Sequence, residues 1–349
     1  MWRNIDRRGF LAGVGSAAAA AGLGVPGSAR AADALVVTSY GGAWEKFFRE
    51  EVVPPFEKET KGKLNLAVGL SKDWLTNIRA AGSGEAPYDV VMTNEAFASI
   101  EREEGYFEPL PADRIANMKD VLPIGRYPKD MSVIGIIQPI GLAYRSDLVK
   151  TPPASWKDLW TNPEFKGRTA LYTITNSAGY MFVLMMAQIF GGAQDKIDVA
   201  FAEIKKLKPF AQLDFSGTME IQLTRGEAVV GPLDFPTIAR MKSKGVPVDV
   251  VAPKEGVFMF EQVFSILKAS TNKELAWRWI DYILRPDVQD KWVREFFISP
   301  LNSKVAIPDN LKSSIPIHGD RLREIKVFDW AAANQIRDTV IERWNKEMA

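Results

Sequence analysis

The side chains best suited to polar recognition fall in a few short segments. Thr93-Asn94-Glu95 sets a hydroxyl, an amide and a carboxylate in a row, so Glu95 can accept charge-assisted hydrogen bonds from an amine while Thr93 and Asn94 supply neutral ones. Asp234, after the turn expected through Gly231-Pro232, is a further carboxylate of the same kind. Thr175-Asn176-Ser177-Ala178-Gly179-Tyr180 brings hydroxyls, an amide and free backbone N–H groups to the start of an apolar run, a set that suits a carboxylate or other anion. Gly41-Gly42 lets the backbone approach a ligand closely. Each segment also has an architectural reading. Asn94, Asn176 and Asp234 are good helix caps, Glu95 complements a helix dipole, and a tight strand-to-helix turn uses glycine.

Covalent and metal chemistry has little to work with. The 349 residues contain no cysteine and a single histidine, His318, in a late loop. There is no G-x-S-x-G elbow, no G-x-x-x-x-G-K phosphate loop, no H-E-x-x-H pair and no adjacent tyrosine pair of the kind a ferric ion favours. No catalytic residue, metal ligand or cofactor is expected; carboxylate-only catalysis stays open as the enzymatic alternative. With 46% hydrophobic and 25% charged residues, the chain has the balance of a globular protein and the length for two lobes.

The elements that must hold these segments alternate between strand and helix. Leu35-Val36-Val37 reads as a strand running into Gly41-Gly42, after which Trp44, Phe47, Phe48 and Val52 recur at helical spacing. Residues 64–68 form a second strand, Ser71 caps a helix carrying Trp74, Leu75 and Ile78, and residues 88–93 form a third strand with Asn94 capping the next helix. This alternation predicts an α/β lobe with a mostly parallel sheet. Ligands of such sheets bind beyond the carboxyl ends of the strands, which singles out residues 39–42 and 93–95. Trp44, Phe47, Phe48, Trp156 and Trp160 are expected in the core.

A second α/β set runs from residues 134–144 through a strand at 169–172, a helix at 178–190, a short strand at 228–230, a helix at 235–243 and a strand at 246–251. A strand at 263–267 and helices at 273–284 and from Pro286 return to the first lobe, and an amphipathic helix around Trp330 to Trp344 ends the chain. The expected organisation is lobe one at 32–136 plus 263–315, lobe two at 137–262 and a C-terminal helical segment at 316–349.

The first 31 residues stand apart. Arg3, Arg7 and Arg8 precede an Ala/Gly-rich apolar run from Leu11 to Val25 and then Ala29-Arg30-Ala31, the order of a cleavable secretory signal. Arg7-Arg8-Gly9-Phe10-Leu11 has the form of a twin-arginine export signal. The run is about 15 residues, against the roughly 20 that span a bilayer. Cleavage after Ala31 leaves 40 basic and 42 acidic residues, a net charge of −2 that favours neither nucleic acid nor an anionic membrane. A periplasmic monomer without a membrane anchor is expected.

Thr38-Ser39-Tyr40-Gly41-Gly42-Ala43-Trp44, Gly141-Leu142-Ala143-Tyr144, Ser155-Trp156-Lys157-Asp158-Leu159-Trp160 with Lys166-Gly167, Pro253-Lys254-Glu255-Gly256 and Ser299-Pro300-Leu301-Asn302, in that order, carry a resemblance. Over about residues 34–310 the chain resembles family 1 bacterial extracellular solute-binding proteins of the spermidine/putrescine-binding type. The resemblance implies a two-lobed, periplasmic-binding-protein-like (type II) fold with crossing hinge strands. It also implies a small-molecule ligand in the interlobe cleft, closure on binding, and docking onto the permease subunits of an ABC importer.

By the same resemblance, Tyr40 presents its ring to an alkyl chain or ammonium group, an attraction of roughly 0.5–2 kcal/mol; a buried packing tyrosine is the alternative. Phe260-Glu261-Gln262 matches the family's aromatic followed by an acid, with one residue of register deciding whether Glu261 or Gln262 faces the ligand. Where polyamine binders carry acids, this chain has Asn176, Ser177 and Tyr180. That departure points to a ligand with one amine, with a carboxylate as an option; small ω-amino acids and mono- or diamines fit. A receptor for a metal ion or small anion, or a carboxylate-dependent enzyme, is the alternative.

Overall fold

The computed structural model describes residues 34–348; the signal-like segment and its cleavage position lie outside the described residues. Ten strands are present among them: β1 Ala34–Ser39, β2 Lys63–Val68, β3 Val90–Thr93, β4 Phe107–Glu108, β5 Val133–Arg145, β6 Ala170–Tyr172, β7 Ala211–Leu213, β8 Val230–Asp234, β9 Val248–Val251 and β10 Phe258–Leu267. β1 lies between β2 and β3 and runs parallel to both, in the registers Leu35↔Leu64 and Val37↔Val90. Parallel pairing needs a crossover, and helices supply it: Ala43–Phe47 and Val53–Thr60 before β2, Ser71–Ala81 before β3. Pro54 and Pro55 sit in the first turn of Val53–Thr60, where a missing N–H leaves no bond unmade.

β5 and β10 are the long elements, 13 and 10 residues. They pair antiparallel with each other; β10 then pairs with β3, and β5 with β8 and β9, also antiparallel. The main sheet therefore reads β2-β1-β3-β10-β5-β8, continuous through both lobes. Parallel ladders join β1 to β2 and β3 and β6 to β7, and a single parallel bridge from Thr169 to Val230 connects the β6-β7 pair to β8. The crossing strands make the whole sheet mixed, because no βαβ crossover leads into them.

Two boundaries differ from the sequence reading. Gly231 and Pro232 do not turn the chain; they lie inside β8, and Asp234 ends it. Glycine is required there because a Cβ at Gly231 would stand 2.5 Å from the Ala170 carbonyl oxygen. β10 begins at Phe258 rather than Val263, so Phe260, Glu261 and Gln262 belong to a strand. The helices Ile197–Lys206 and Ser216–Arg225 were not anticipated.

Apolar packing holds each lobe. Leu35, Phe48, Val90, Phe264, Trp279 and Trp292 share one cluster, and Trp156, Tyr172, Phe182, Phe201 and Phe258 another. Phe47, Phe48 and Trp156 are buried as expected, whereas Trp44 and Trp160 are only partly buried, Trp44 stacked on Phe296 and Trp160 edge-on to Phe190. The Ser155-Trp156 and Glu255-Gly256 segments clasp each other: the Trp156 backbone N–H donates to Glu255 at 3.1 Å and its indole N–H to the Gly256 carbonyl at 2.8 Å. Ser299 and Asn302 are tied to the Ile317 and Leu284 carbonyls at 2.6 and 2.8 Å. These segments hold the architecture together.

The last helix, Trp330–Glu347, joins two others. Asn334 donates to the Ala96 carbonyl at 3.0 Å and to Ser99 at 2.7 Å, both in the helix Glu95–Glu103, while the Ala333 carbonyl takes the hydroxyl of Tyr180, from the helix Ser177–Gly191. No described helix is long and apolar enough to cross a membrane.

Candidate ligand site

β1 and β3 end side by side, so the residues that follow them meet. The Tyr40 hydroxyl lies 2.6 Å from Ser71 Oγ, and the Asn94 amide donates to Ser71 at 3.3 Å and to Tyr40 at 3.5 Å. The Tyr40 ring sits 5.1 Å from Trp74, and burial pushes its phenol pKa up. Ser71 is the first residue of its helix rather than its cap, and its hydroxyl serves Tyr40 instead. Asn94 holds the cap position of Glu95–Glu103 but turns its side chain away from the helix, leaving Oδ1 buried with no hydrogen-bond partner among the described residues. Thr93 is fully buried at the strand end. Gly41 and Gly42 are exposed, and Gly42 has a φ of 73°, a left-handed conformation that favours glycine.

β10 supplies the next three residues. Its register opposite β5 is Phe260↔Gln138, Glu261↔Ile137 and Gln262↔Ile136. Side chains alternate along a strand, so Phe260 and Gln262 share a face with Gln138, and Glu261 takes the opposite face with Met259. The strands β10 and β3 pair up to Val263↔Thr93, which brings Gln262 alongside Asn94. Gln262 Oε1 and Thr93 Oγ1 are, like Asn94 Oδ1, buried oxygens without a hydrogen-bond partner among the described residues. Asp234, buried at the end of β8, accepts the Thr237 N–H at 2.9 Å as the cap of the helix Phe235–Ser243, and Gln138 approaches it at 3.5 Å. Burial raises its pKa.

The two glutamates are already engaged. The Glu95 carboxylate is ion-paired with Arg102, which also stacks 4.3 Å over Tyr127. Burial raises the Glu95 pKa against that pull. Glu261 accepts the Glu95 N–H at 2.8 Å, and burial pushes its pKa up to about 8. Both line a cavity of about 310 Å³ with Tyr127, Met181, Phe328 and Trp330.

On the lobe-two side, Asn176 caps its helix by accepting the Ala178 N–H at 2.8 Å and donates to the Asp214 carbonyl at 2.9 Å. Ser177 is partly exposed in the first turn, and Tyr180 is buried as an anchor for the last helix. Sequence reasoning missed Ser71 as the Tyr40 partner, Gln138, and the entry of the last helix. Gln138 could have been found as the one long polar side chain in the apolar run of β5.

The description "bacterial extracellular solute-binding protein" belongs to a family whose model matches residues 85–319. The chain belongs to that family. It is 25% identical over 324 residues to the gamma-aminobutyric acid-binding protein of Pseudomonas aeruginosa, covering 88% of this chain and 89% of that one. It is 27% identical over 262 residues to the spermidine/putrescine-binding periplasmic protein of Escherichia coli K12, covering 72% and 74%. Among solved structures, an ABC transporter protein from Clostridium perfringens superposes with a TM-score of 0.78 at 26% identity, over 90% of this chain and all of that one. The Atu4243-GABA receptor superposes at 0.77 with 20% identity, over 91% and 98%, a likeness of fold. The fold is thus the two-lobed type II arrangement, with β5 and β10 crossing between lobes. Members of the family bind small solutes and work with ABC permeases.

Proposed function

We propose that this chain is the periplasmic substrate-binding component of an ABC importer and captures a small solute bearing an ammonium group. One observation carries the choice of ligand: of the three unpartnered buried groups at the strand ends, the Thr93 hydroxyl can donate or accept, and Asn94 Oδ1 and Gln262 Oε1 can only accept. A buried acceptor left without a donor costs about 1–3 kcal/mol, so the pair favours a ligand rich in N–H donors. Tyr40 and Phe260 add ring faces that attract a cation. With Glu95 committed to Arg102 and Glu261 held mostly protonated near neutrality, Asp234 is the carboxylate that takes the charge. The relatives named for gamma-aminobutyric acid and for spermidine/putrescine support an amine-bearing ligand.

In this reading the protein is a monomer, carries out no covalent chemistry, and reaches the periplasm through its N-terminal signal, cleaved near Ala31. The hinge is taken to be the middle of β5 and β10, where the expected boundaries at 136/137 and 262/263 fall and where β10 is irregular between Gln262 and Val263. Ligand contacts to both lobes then stabilise the closed form that docks on the permease. A metal receptor finds less support: among the described residues no group of three or more His, Asp or Glu side chains is placed to hold an ion. Thermal melting of residues 32–349 against amines, ω-amino acids, carboxylates and sugars tests the reading. An amine at about 100 times its dissociation constant adds about 2.7 kcal/mol of stability; a shift with sugars and none with any amine would overturn it.

A further inference from the structure

We infer that the cavity behind β10 is a second binding site, for a small monocarboxylate with an apolar body. The site is separate from the place proposed for the amine and does not rest on that reading. Strand alternation divides the two: Phe260 and Gln262 point to the face that carries Gln138, whereas Met259 and Glu261 point to the other face and line the cavity. Its remaining apolar walls come from other parts of the chain. Tyr127 and Ile134 lie before and at the start of β5, Met181 belongs to the helix Ser177–Gly191, and Phe328 and Trp330 stand at the entry to the last helix. All of these but Tyr127 are buried. An apolar cavity of about 150 Å³ takes benzene, so one of about 310 Å³ holds a body of roughly ten to twelve non-hydrogen atoms. Val327, which also lines it, is 67% exposed and stands where the cavity meets solvent.

The charges around the cavity decide the class of ligand. Glu95 is ion-paired with Arg102, and Arg126 with Asp130. Glu261 gives one oxygen to the Glu95 N–H at 2.8 Å, no side chain hydrogen-bonds to it, and burial keeps it mostly protonated near neutrality. Lys326 is left over. It lines the cavity half-buried, and its amino group makes neither an ion pair nor a hydrogen bond among the described residues. The wall therefore carries one uncompensated charge, and that charge is positive. An ammonium meets no free carboxylate here, whereas a carboxylate pairs with Lys326 through a charge-assisted hydrogen bond.

The placement of Lys326 sets the orientation. Its backbone N–H donates to the Val257 carbonyl at 2.6 Å, and Glu261 follows Val257 by four residues, roughly 13 Å at strand spacing. The carboxylate thus sits at one end, and the apolar body extends along Met259 towards Glu261, whose protonated carboxyl presents no charge to it.

Methyl NMR of residues 32–349 labelled at the methionine methyl groups is the test, with octanoate and octylamine as probes and the Met181 and Met259 signals assigned from Met181→Leu and Met259→Leu. Octanoate should shift both signals saturably and bind at least about tenfold more tightly than octylamine. Lys326→Gln should weaken octanoate about tenfold, the loss of one charge-assisted hydrogen bond. Met181→Trp, which fills the cavity, should abolish the effect on Met259. Lys326 is half-exposed, so its replacement leaves the fold standing and the test decisive even where Met181→Trp overpacks the core. Octylamine bound as tightly as octanoate, an octanoate affinity untouched by Lys326→Gln, or no shift of either signal would each overturn the inference.

Discussion

Glu261 is a carboxyl that the fold holds protonated. It is buried in β10, with one oxygen taking the Glu95 N–H at 2.8 Å, and burial, reinforced by the Glu95 charge, pushes its pKa from 4.5 to about 8. Between those values the folded protein keeps a proton that the unfolded chain has released. Its contribution to stability is therefore full below about pH 4.5, falls by about 1.4 kcal/mol per pH unit, and is lost above about pH 8. At pH 7 the loss is about 3 kcal/mol. Glu261→Gln keeps the acceptor for the Glu95 N–H and has no proton to lose. With a melting entropy of roughly 2.1 cal/mol/K per residue over about 315 residues, 3 kcal/mol corresponds to about 5 °C. Melting followed by circular dichroism from pH 4 to 8.5 should find the two proteins alike at pH 4, the variant about 5 °C more stable at pH 7, and the gap wider at pH 8. A gap that stays constant with pH, or a variant less stable at pH 8, would refute the reasoning.

Two further substitutions separate binding from stability. Asp234→Asn keeps a capping oxygen for the Thr237 N–H, so the melting temperature should barely move, while the lost charge should weaken amine binding about tenfold by calorimetry. Arg102→Met leaves Glu95 buried without its partner and should cost about 3–5 kcal/mol in urea unfolding, with the loss smaller at low pH where Glu95 is protonated.

How much of this was legible in the sequence depends on how local the cause is. β1, β2 and β3 were readable because short apolar runs end in Gly41-Gly42, Gly69 and Asn94, and their parallel order follows from the helices between them. Asp234 as a helix cap was readable for the same reason. β10 was read too short because Glu261 and Gln262 interrupt its apolar pattern, although both are buried in the strand. Gly231-Pro232 carried a turn signal that the approach of Ala170 overrides. Partnerships across long stretches of chain left no local trace: Ser71 with Tyr40 across 31 residues, Tyr180 with Ala333 across 153.

The most direct test of the central claim is calorimetric titration of residues 32–349 with a small amine and with the same molecule carrying a methyl group in place of the ammonium. One saturable site per chain for the amine, and none for its isostere, is the predicted result. Saturation by a sugar or a simple dicarboxylate, with every amine tested failing to bind, would contradict it.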